Sequence, residues 1–245
     1  FLPGDYIAYK LTGNISTTES GLSEQILWDF TDDAPAGFVM DHFGFPAHIL
    51  PEHKPSLGIQ CHTSAGTEKL FGIPAGTPVS YRAGDQPNNA FSLNVMEAGE
   101  VAATAGTSGV VYGVTDKSIA DQRSRVNQFL HVNHRPGDPH YGVLLCINGT
   151  GILNAWIRRN LLPGMSYDQM NEKASQAPAG CDGLHVLPFG NGAERILENR
   201  FTGASFSGID LNRHDTRHFL RAAQEGIAFS FRYGMDIMKQ MGIVP

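Results

Sequence analysis

The stretch that decides the fold runs from Tyr81 to Gly109 and reads YRAGDQPNNAFSLNVMEAGEVAATAGTSG. An apolar approach at 77–81 leads into the turn AGDQ at 83–86, and a polar, asparagine-rich segment with the character of a helix follows. A strand of small residues at 100–105 then ends in the turn GTSG at 106–109. A carboxylate just after a glycine and a glycine-flanked hydroxyl turn therefore lie close together in the chain.

Each of these two patterns has a chemical and a structural interpretation. Asp85 follows a short strand and precedes a helix, where its carboxylate can accept a proton from a substrate hydroxyl or simply cap the helix. The turn at 106–109 can point backbone N–H groups into one concavity, and Thr107 and Ser108 add hydroxyl donors that suit phosphate oxygens. The same four residues also suit an ordinary turn between two strands. Taken singly, neither pattern decides between its two interpretations.

Taken together, in this order and at this spacing, the two patterns resemble the FGGY family of carbohydrate kinases. In that family the Asp of the Gly-Asp turn deprotonates the sugar hydroxyl, and the Gly-Thr-Ser-Gly turn approaches the ATP phosphates. The run GDQPNNA at 84–90 is most similar to the xylulose kinase branch. The resemblance implies ATP-dependent phosphorylation of D-xylulose at its terminal hydroxyl to give D-xylulose 5-phosphate. It also implies ATP and Mg²⁺ as cofactors, with the sugar and ATP as partners.

The resemblance assigns roles to named residues. Asp85 is the catalytic base, and Gln86 binds a sugar hydroxyl, which its amide can do as donor and acceptor. The expected nucleotide-binding residues lie in two glycine turns: Gly106, Thr107, Ser108, Gly109, Gly149 and Gly151. The turn that contains Gly149 and Gly151 can also be a plain strand-to-helix connection. No residue of the chain is expected to bind the metal, because the metal-associated Asp of the family has no counterpart in it. The adenosine turn of the family has no counterpart either.

Composition limits the classes of partner. The hydrophobic and charged fractions, 41% and 17%, are ordinary for a globular protein. A net charge of -6 gives no electrostatic reason to bind nucleic acid or an anionic membrane. No apolar run approaches the roughly 20 residues that cross a bilayer. Three cysteines without metal-ligand spacing favour a reduced, cytoplasmic setting.

The order of predicted elements indicates the fold class. Apolar runs at 110–114, 129–134 and 141–147 are predicted strands separated by turns, which favours a mixed sheet over a simple βαβ repeat. The first of them is predicted to form a hairpin with the strand at 101–105. Helices are predicted at 152–161, with an apolar face at Leu153, Trp156, Ile157 and Leu161, and from 218 to 241. This order fits the actin-like, RNase H-like α/β fold of the family, with mixed sheets flanked by helices. We expect residues 1–90 to form the C-terminal part of the sugar-binding domain. Residues 91–245 are then an incomplete nucleotide-binding domain.

Three further patterns carry expectations. Trp28 is predicted to be a core residue rather than a platform for a sugar ring. Glu194 and Arg195 resemble the end of a family stretch, and they suit an ordinary ion pair better than a direct substrate role. The segment at 203–229 resembles the second FGGY signature, a small-residue strand followed by an amphipathic helix, and its match indicates packing more than chemistry.

Alternatives remain open at this stage. Other substrates of the family, namely ribulose, gluconate and glycerol, fit the same motifs, and a non-catalytic binding module on the same scaffold is a candidate from another class. Phe1 is not Met, and the family places the stretch at 3–13 well inside its N-terminal domain. We therefore expect a fold truncated at both ends and an isolated chain that is inactive. Family members are often dimers, which makes a homodimer an expectation.

Overall fold

The structure, a computed structural model, describes residues 2–244. Within that range the α-helices are Pro3–Thr12 (α1), Glu19–Glu24 (α2), Gly37–Phe43 (α3), Ala65–Phe71 (α4), Asp85–Ser92 (α5), Gly151–Asn160 (α6), Tyr167–Ser175 (α7) and Thr216–Gln240 (α8). The β-strands are Ser16–Thr18 (β1), Trp28–Asp29 (β2), Ala34–Pro35 (β3), Glu52–Lys54 (β4), Leu57–His62 (β5), Pro78–Tyr81 (β6), Val101–Ala105 (β7), Gly109–Thr115 (β8), Asn127–Leu130 (β9), Tyr141–Ile147 (β10), His185–Leu187 (β11) and Ser205–Ser207 (β12).

The largest sheet has four strands in the order β7-β8-β10-β9, and each neighbouring pair is antiparallel. Ala105 lies opposite Gly109, and Gly109 lies opposite Ile147. The turn after β7 and the segment after β10 therefore leave the sheet at the same end. This register confirms the hairpin predicted across the turn at 106–109.

The strand predicted at 129–134 is shorter than expected, because β9 ends at Leu130. The His134 N–H donates to the His131 carbonyl at 3.0 Å, so the chain turns immediately after the strand. The His131 ring is held between the Tyr112 hydroxyl and the Val95 carbonyl, each at 3.0 Å. These side-chain bonds fix a turn where the apolar pattern alone predicted more strand.

Helix α8 packs across the main sheet. Leu145 and Ile147 of the sheet share a buried cluster with Ile237 and Met238 of the helix. A Cβ atom at Gly234 would lie 2.8 Å from a methyl carbon of Leu145, so a larger residue there would displace the Leu145 side chain. The amphipathic helix predicted from 218 to 241 is confirmed as one continuous element.

A second buried cluster lies between α8 and the elements that follow the main sheet. It contains Leu153 and Ile157 of α6, Met170 of α7, and Leu220 of α8. The residues of α6 recur at the three- and four-residue spacing of a helix that is apolar on one face. The helix predicted at 152–161 is therefore confirmed, but Trp156 and Leu161, which the prediction placed on its apolar face, are exposed.

The N-terminal half is built from smaller sheets. Strands β1 and β4 pair in parallel, whereas β2–β3 and β5–β6 are antiparallel pairs. Trp28 is 7% exposed and packs with Leu22, Leu130 and Tyr141, which confirms that it is a core residue. This cluster joins α2 to the main sheet. The division of the chain at residue 90 remains a prediction.

Arg82 and Asp5 form a buried ion pair in the N-terminal half, with 3.1 Å between Nη1 and Oδ1. The guanidinium also donates to the side-chain oxygen of Gln60 at 2.8 Å and to the carbonyl of Ser16 at 3.0 Å. The Thr17 hydroxyl donates to the second oxygen of Asp5 at 2.9 Å. Helix α1, strand β1 and the end of β6 are thereby tied together just before Asp85.

The three cysteines, Cys61, Cys146 and Cys181, are free thiols. Burial raises the pKa of Cys146, and burial, with the nearby charge of Glu225, raises the pKa of Cys181 to about 11. Among residues 2–244, no helix is both long enough and apolar enough to cross a membrane.

Candidate functional site

The two glycine turns predicted to bind a nucleotide are in direct contact. The Ile152 N–H donates to the Thr107 carbonyl at 3.0 Å, and the Thr150 hydroxyl approaches the same oxygen at 3.4 Å. A Cβ atom at Gly151 would collide with the Gly106 carbonyl, so only glycine allows this approach. The register of the main sheet explains the contact, since both turns leave the sheet at one end.

The first turn leaves donors free for a ligand. The Gly106 N–H donates to the Ser108 carbonyl at 3.1 Å, and Gly109 lies in the β-ladder opposite Ala105. The N–H groups of Thr107 and Ser108 have no acceptor in the described part of the chain. Thr107 is exposed and Ser108 is half-buried. Two amides and two hydroxyls are therefore available to an anion at this turn.

The expected ion pair between Glu194 and Arg195 is wrong. Glu194 is 1% exposed, and its carboxylate accepts the N–H groups of Asn148 at 3.0 Å and Gly149 at 3.2 Å. The Arg195 guanidinium instead donates to the Ser124 carbonyl at 2.8 Å. Burial raises the pKa of Glu194, and the two amides oppose that effect. Glu194 therefore binds the backbone at the start of the second turn. Backbone amides, rather than a neighbouring cation, compensate its carboxylate.

Gly149 has a packing role in addition to this bond. A Cβ atom there would collide with the Pro188 carbonyl, so a larger residue would displace the chain that follows β11. The N–H of Gly149 is already given to Glu194. Gly149 therefore shapes the turn, while the donors that face outwards belong to Thr107 and Ser108.

Asp85 is the first residue of α5, and the N-cap position before it is Gly84. Asp85 is exposed, and the Gln86 amide donates to its Oδ2 at 3.2 Å. Helix α5 packs on the main sheet, because Ala90 shares a buried cluster with Ala102 of β7 and Tyr112 of β8. Asp85 thus begins a helix that packs on the sheet whose end carries both glycine turns.

A pocket of about 550 Å³ opens beside the joined turns. Its lining includes Thr107 and Gly151 of the two turns, and also Asn154, Arg159 and Tyr167. Sequence reasoning missed the last three. Asn154 and Arg159 lie on the helix that Gly151 begins, so helical spacing could have found them. Nothing in the sequence indicated Tyr167, which follows a loop and begins another helix.

A second pocket, of about 420 Å³, lies across α6 from the first. Ile152 and Arg159 line both pockets, and Trp156 and Phe206 line only the second. A ligand that spans both would have its charged part near Thr107 and its apolar part near the two aromatic rings. Residues 2–244 contain no cluster of three or more metal-binding side chains.

Glu24, the last residue of α2, is the other residue that sequence reasoning missed. Its Oε1 accepts the N–H of Gly84 at 3.0 Å, directly before Asp85. Burial raises the pKa of Glu24 to about 7, and the charges of Asp85 and Asp5 act in the same direction against the opposing bond from Gly84. Glu24 and Gly84 are 60 positions apart, and no local pattern connects them.

Comparisons with known proteins agree with this geometry. Residues 101–245 match the C-terminal domain of the FGGY family of carbohydrate kinases. A xylulose kinase of Bacillus subtilis (strain 168) is 27% identical over 98% of the chain and 47% of its own length. A gluconokinase of Bacillus licheniformis is 27% identical over 84% of the chain and 39% of its own length. The chain spans about half the length of the curated relatives it matches.

The fold is also that of solved sugar kinases. The crystal structure of xylulose kinase from Rhodospirillum rubrum aligns with a TM-score of 0.86 and 25% identity, over 98% of this chain and 48% of that one. The predicted actin-like, RNase H-like α/β fold is thereby confirmed. Since the family's C-terminal domain accounts for residues 101–245, more than half of the chain, the protein belongs to the FGGY family of carbohydrate kinases.

Proposed function

We propose that the protein transfers a phosphoryl group from ATP to a hydroxyl of a sugar, with D-xylulose as the favoured acceptor at its terminal hydroxyl. One observation carries the proposal: two joined glycine turns with free donors lie at one end of the sheet on which α5 packs, and α5 begins with an exposed carboxylate. Phosphoryl transfer needs little beyond alignment of the two reactants and neutralisation of charge. Asp85 as the base for the acceptor and the two glycine turns as the phosphate site meet that need.

Asp85 takes the proton from the sugar hydroxyl, and its exposure leaves it open to a substrate. Gln86, which already donates to Asp85, binds a neighbouring hydroxyl with the free part of its amide. The carboxylate is not needed to cap α5, because Gly84 occupies the cap position. Both side chains are therefore free to act on the acceptor.

The ATP phosphates bind at the turn formed by Gly106, Thr107, Ser108 and Gly109. The free amides of Thr107 and Ser108 donate to phosphate oxygens, and the N-terminus of α6, which Gly151 begins, adds the favourable end of a helix dipole. Arg159 lines both pockets and supplies positive charge to the same ligand. Gly149 keeps the second turn in place.

Mg²⁺ would enter with the ATP phosphates and neutralise their charge. This ion keeps several water ligands and needs only one or two carboxylates in addition to the phosphate oxygens.

The acceptor is tested with a panel of sugars and ATP, using the protein expressed from its complete gene. We expect the highest kcat/KM with D-xylulose and lower values with ribulose, gluconate and glycerol. Relatives of the chain are named xylulose kinase and gluconokinase, so the gluconate arm is the most informative competitor. A higher kcat/KM with gluconate would reassign the substrate within the family. Turnover with none of the four would favour a binding module instead.

Gly151→Ala tests the contact between the two turns. The added Cβ atom would collide with the Gly106 carbonyl and displace the phosphate-binding turn, at a cost of about 1–3 kcal/mol. We expect the Kd for ATP to rise about tenfold or more, as isothermal titration calorimetry measures. The matched control is Gly37→Ala, at the first position of α3, where a Cβ atom meets nothing within 4 Å. Unchanged ATP affinity in Gly151→Ala would remove this turn from the nucleotide site.

A further inference from the structure

The contact between Glu24 and Gly84 fixes the backbone that presents Asp85. One oxygen of the Glu24 carboxylate accepts the Gly84 N–H at 3.0 Å. The other oxygen lies against the Gly84 Cα, where any Cβ atom would overlap with the carboxylate. Gly84 is the N-cap of α5, and Asp85 is its first residue. The carboxylate of Glu24 therefore contacts the residue that sets the direction of Asp85.

Helix α2, which ends at Glu24, is held in place by a hydrogen bond to the main sheet. The hydroxyl of Ser23 accepts the Leu130 N–H at 2.9 Å and donates to the Ser20 carbonyl at 2.6 Å. Leu130 belongs to β9 in the main sheet. Neighbouring residues of α2 thus bind two separate parts of the molecule, the sheet through Ser23 and the Asp85 turn through Glu24.

The ionisable groups whose charges interact with that of Glu24 are Asp85 of α5, Asp5 of α1, Tyr81 of β6 and Tyr112 of β8. Asp29, Asp121 and Arg195 line the same cavity as Glu24. The Arg82 guanidinium pairs with Asp5. Burial and the charges of Asp85 and Asp5 raise the pKa of Glu24 to about 7, so the carboxyl changes its charge close to neutral pH.

We propose that Glu24 is a positioning residue for Asp85, holding the Gly84 backbone so that the Asp85 carboxylate meets the sugar hydroxyl in the reactive geometry. The inference rests on the proposed function, because it concerns the base of that reaction. A misplacement of about 1 Å in such a group can cost 100-fold in rate. The ionised form of Glu24 binds the Gly84 N–H more strongly than the neutral form, since charge-assisted hydrogen bonds are about twice as strong.

Glu24→Ala and Glu24→Gln test the inference in the protein expressed from its complete gene, by kcat and KM for sugar and ATP across neutral pH. Removal of the acceptor in Glu24→Ala is expected to lower kcat about 10- to 100-fold, with the KM for ATP unchanged. Glu24→Gln retains an acceptor oxygen and should recover most of that loss. The parent kcat should rise about two- to tenfold as pH increases through about 7, and Glu24→Gln should lack this rise.

Gly84→Ala provides an independent variant, because the new methyl group displaces the Glu24 carboxylate without removing it. We expect it to reproduce the kcat loss of Glu24→Ala, and the double variant to be no worse than either single one. Glu100→Gln is the matched control. Glu100 also accepts backbone N–H groups, those of Met96 at 2.6 Å and Glu97 at 2.9 Å, and its substitution should leave kcat and its pH profile unchanged.

The outcomes separate this inference from the proposed function. An active parent protein with Glu24 variants of unchanged kcat and unchanged pH profile overturns the positioning role alone. So does a Glu24→Ala variant whose ATP affinity and thermal stability fall together with kcat, since that pattern indicates a general structural defect. A parent protein without sugar-dependent ATP turnover overturns the proposed function, and the positioning role with it.

Discussion

Asp85→Asn is expected to lower kcat for sugar phosphorylation by about 10²- to 10⁴-fold, the range that a general base contributes. Asparagine has almost the same shape but cannot take the hydroxyl proton. The KM for ATP should stay within about twofold, because the residues proposed to bind phosphate lie in other turns. Steady-state kinetics and ATP titration on the protein expressed from its complete gene measure both quantities.

Asp85→Asn also removes a negative charge from the start of a helix, and this electrostatic effect must be separated from the loss of the base. Asp85 lies in the first turn of α5, where a negative charge stabilises a helix by about 0.3–1 kcal/mol. Glu68→Gln removes an exposed carboxylate from the first turn of α4 and controls for that electrostatic effect. We expect this control to keep full activity. If Asp85→Asn retains a substantial fraction of the parent kcat, Asp85 is not the base.

Asp5→Asn is expected to lower the free energy of unfolding by about 3–5 kcal/mol, which is a large share of the stability of a typical protein. The substitution leaves the charge of Arg82 buried without a counter-ion, since the side chains of the pair are only 4% and 7% exposed. Urea unfolding monitored by circular dichroism measures the loss. Because Arg82 is three residues before Asp85, the loss should be accompanied by weaker sugar binding.

Two further variants interpret that result. Asp236→Asn removes one side of the exposed pair that Asp236 forms with Arg232 at 3.5 Å, and it should cost less than about 1 kcal/mol. Arg82→Met combined with Asp5→Asn should cost less than the sum of the single variants, because the two side chains interact directly. Additive costs, or a small effect of Asp5→Asn, would show that the buried pair contributes little.

Local patterns in the sequence predicted the elements whose partners lie close by in the chain. A run of small residues before the turn at 106–109 and an apolar run after it predicted the hairpin of β7 and β8, which forms with Ala105 opposite Gly109. The helical spacing of Leu153, Trp156, Ile157 and Leu161 predicted α6, although only Leu153 and Ile157 are buried. The two candidate glycine turns could be recognised in the sequence for the same reason, since the residues of each turn adjoin one another.

Contacts between remote segments could not be predicted in this way. Glu24 reaches an amide 60 positions away, and Glu194 accepts the Gly149 amide 45 positions away. A side chain that satisfies a remote amide follows no periodicity, because only the folded backbone decides which donor is left without a partner. Glu194 illustrates the error that results: the adjacent Arg195 suggested an ion pair, but the buried amides of a turn attracted the carboxylate.

The surroundings of the three natural thiols, of which Cys61 and Cys181 are buried and Cys146 is half-buried, have a practical consequence for labelling the protein with dyes. Maleimide dyes react with the thiolate, and the raised pKa values of Cys146 and Cys181 make the thiolate fraction of both smaller than that of an exposed cysteine. Cys61 is shielded by its position in the interior. Fluorophores attached through Glu68→Cys and Asp168→Cys, both exposed, would therefore report the distance between α4 and α7 by energy transfer. The native cysteines could stay in place during such an experiment.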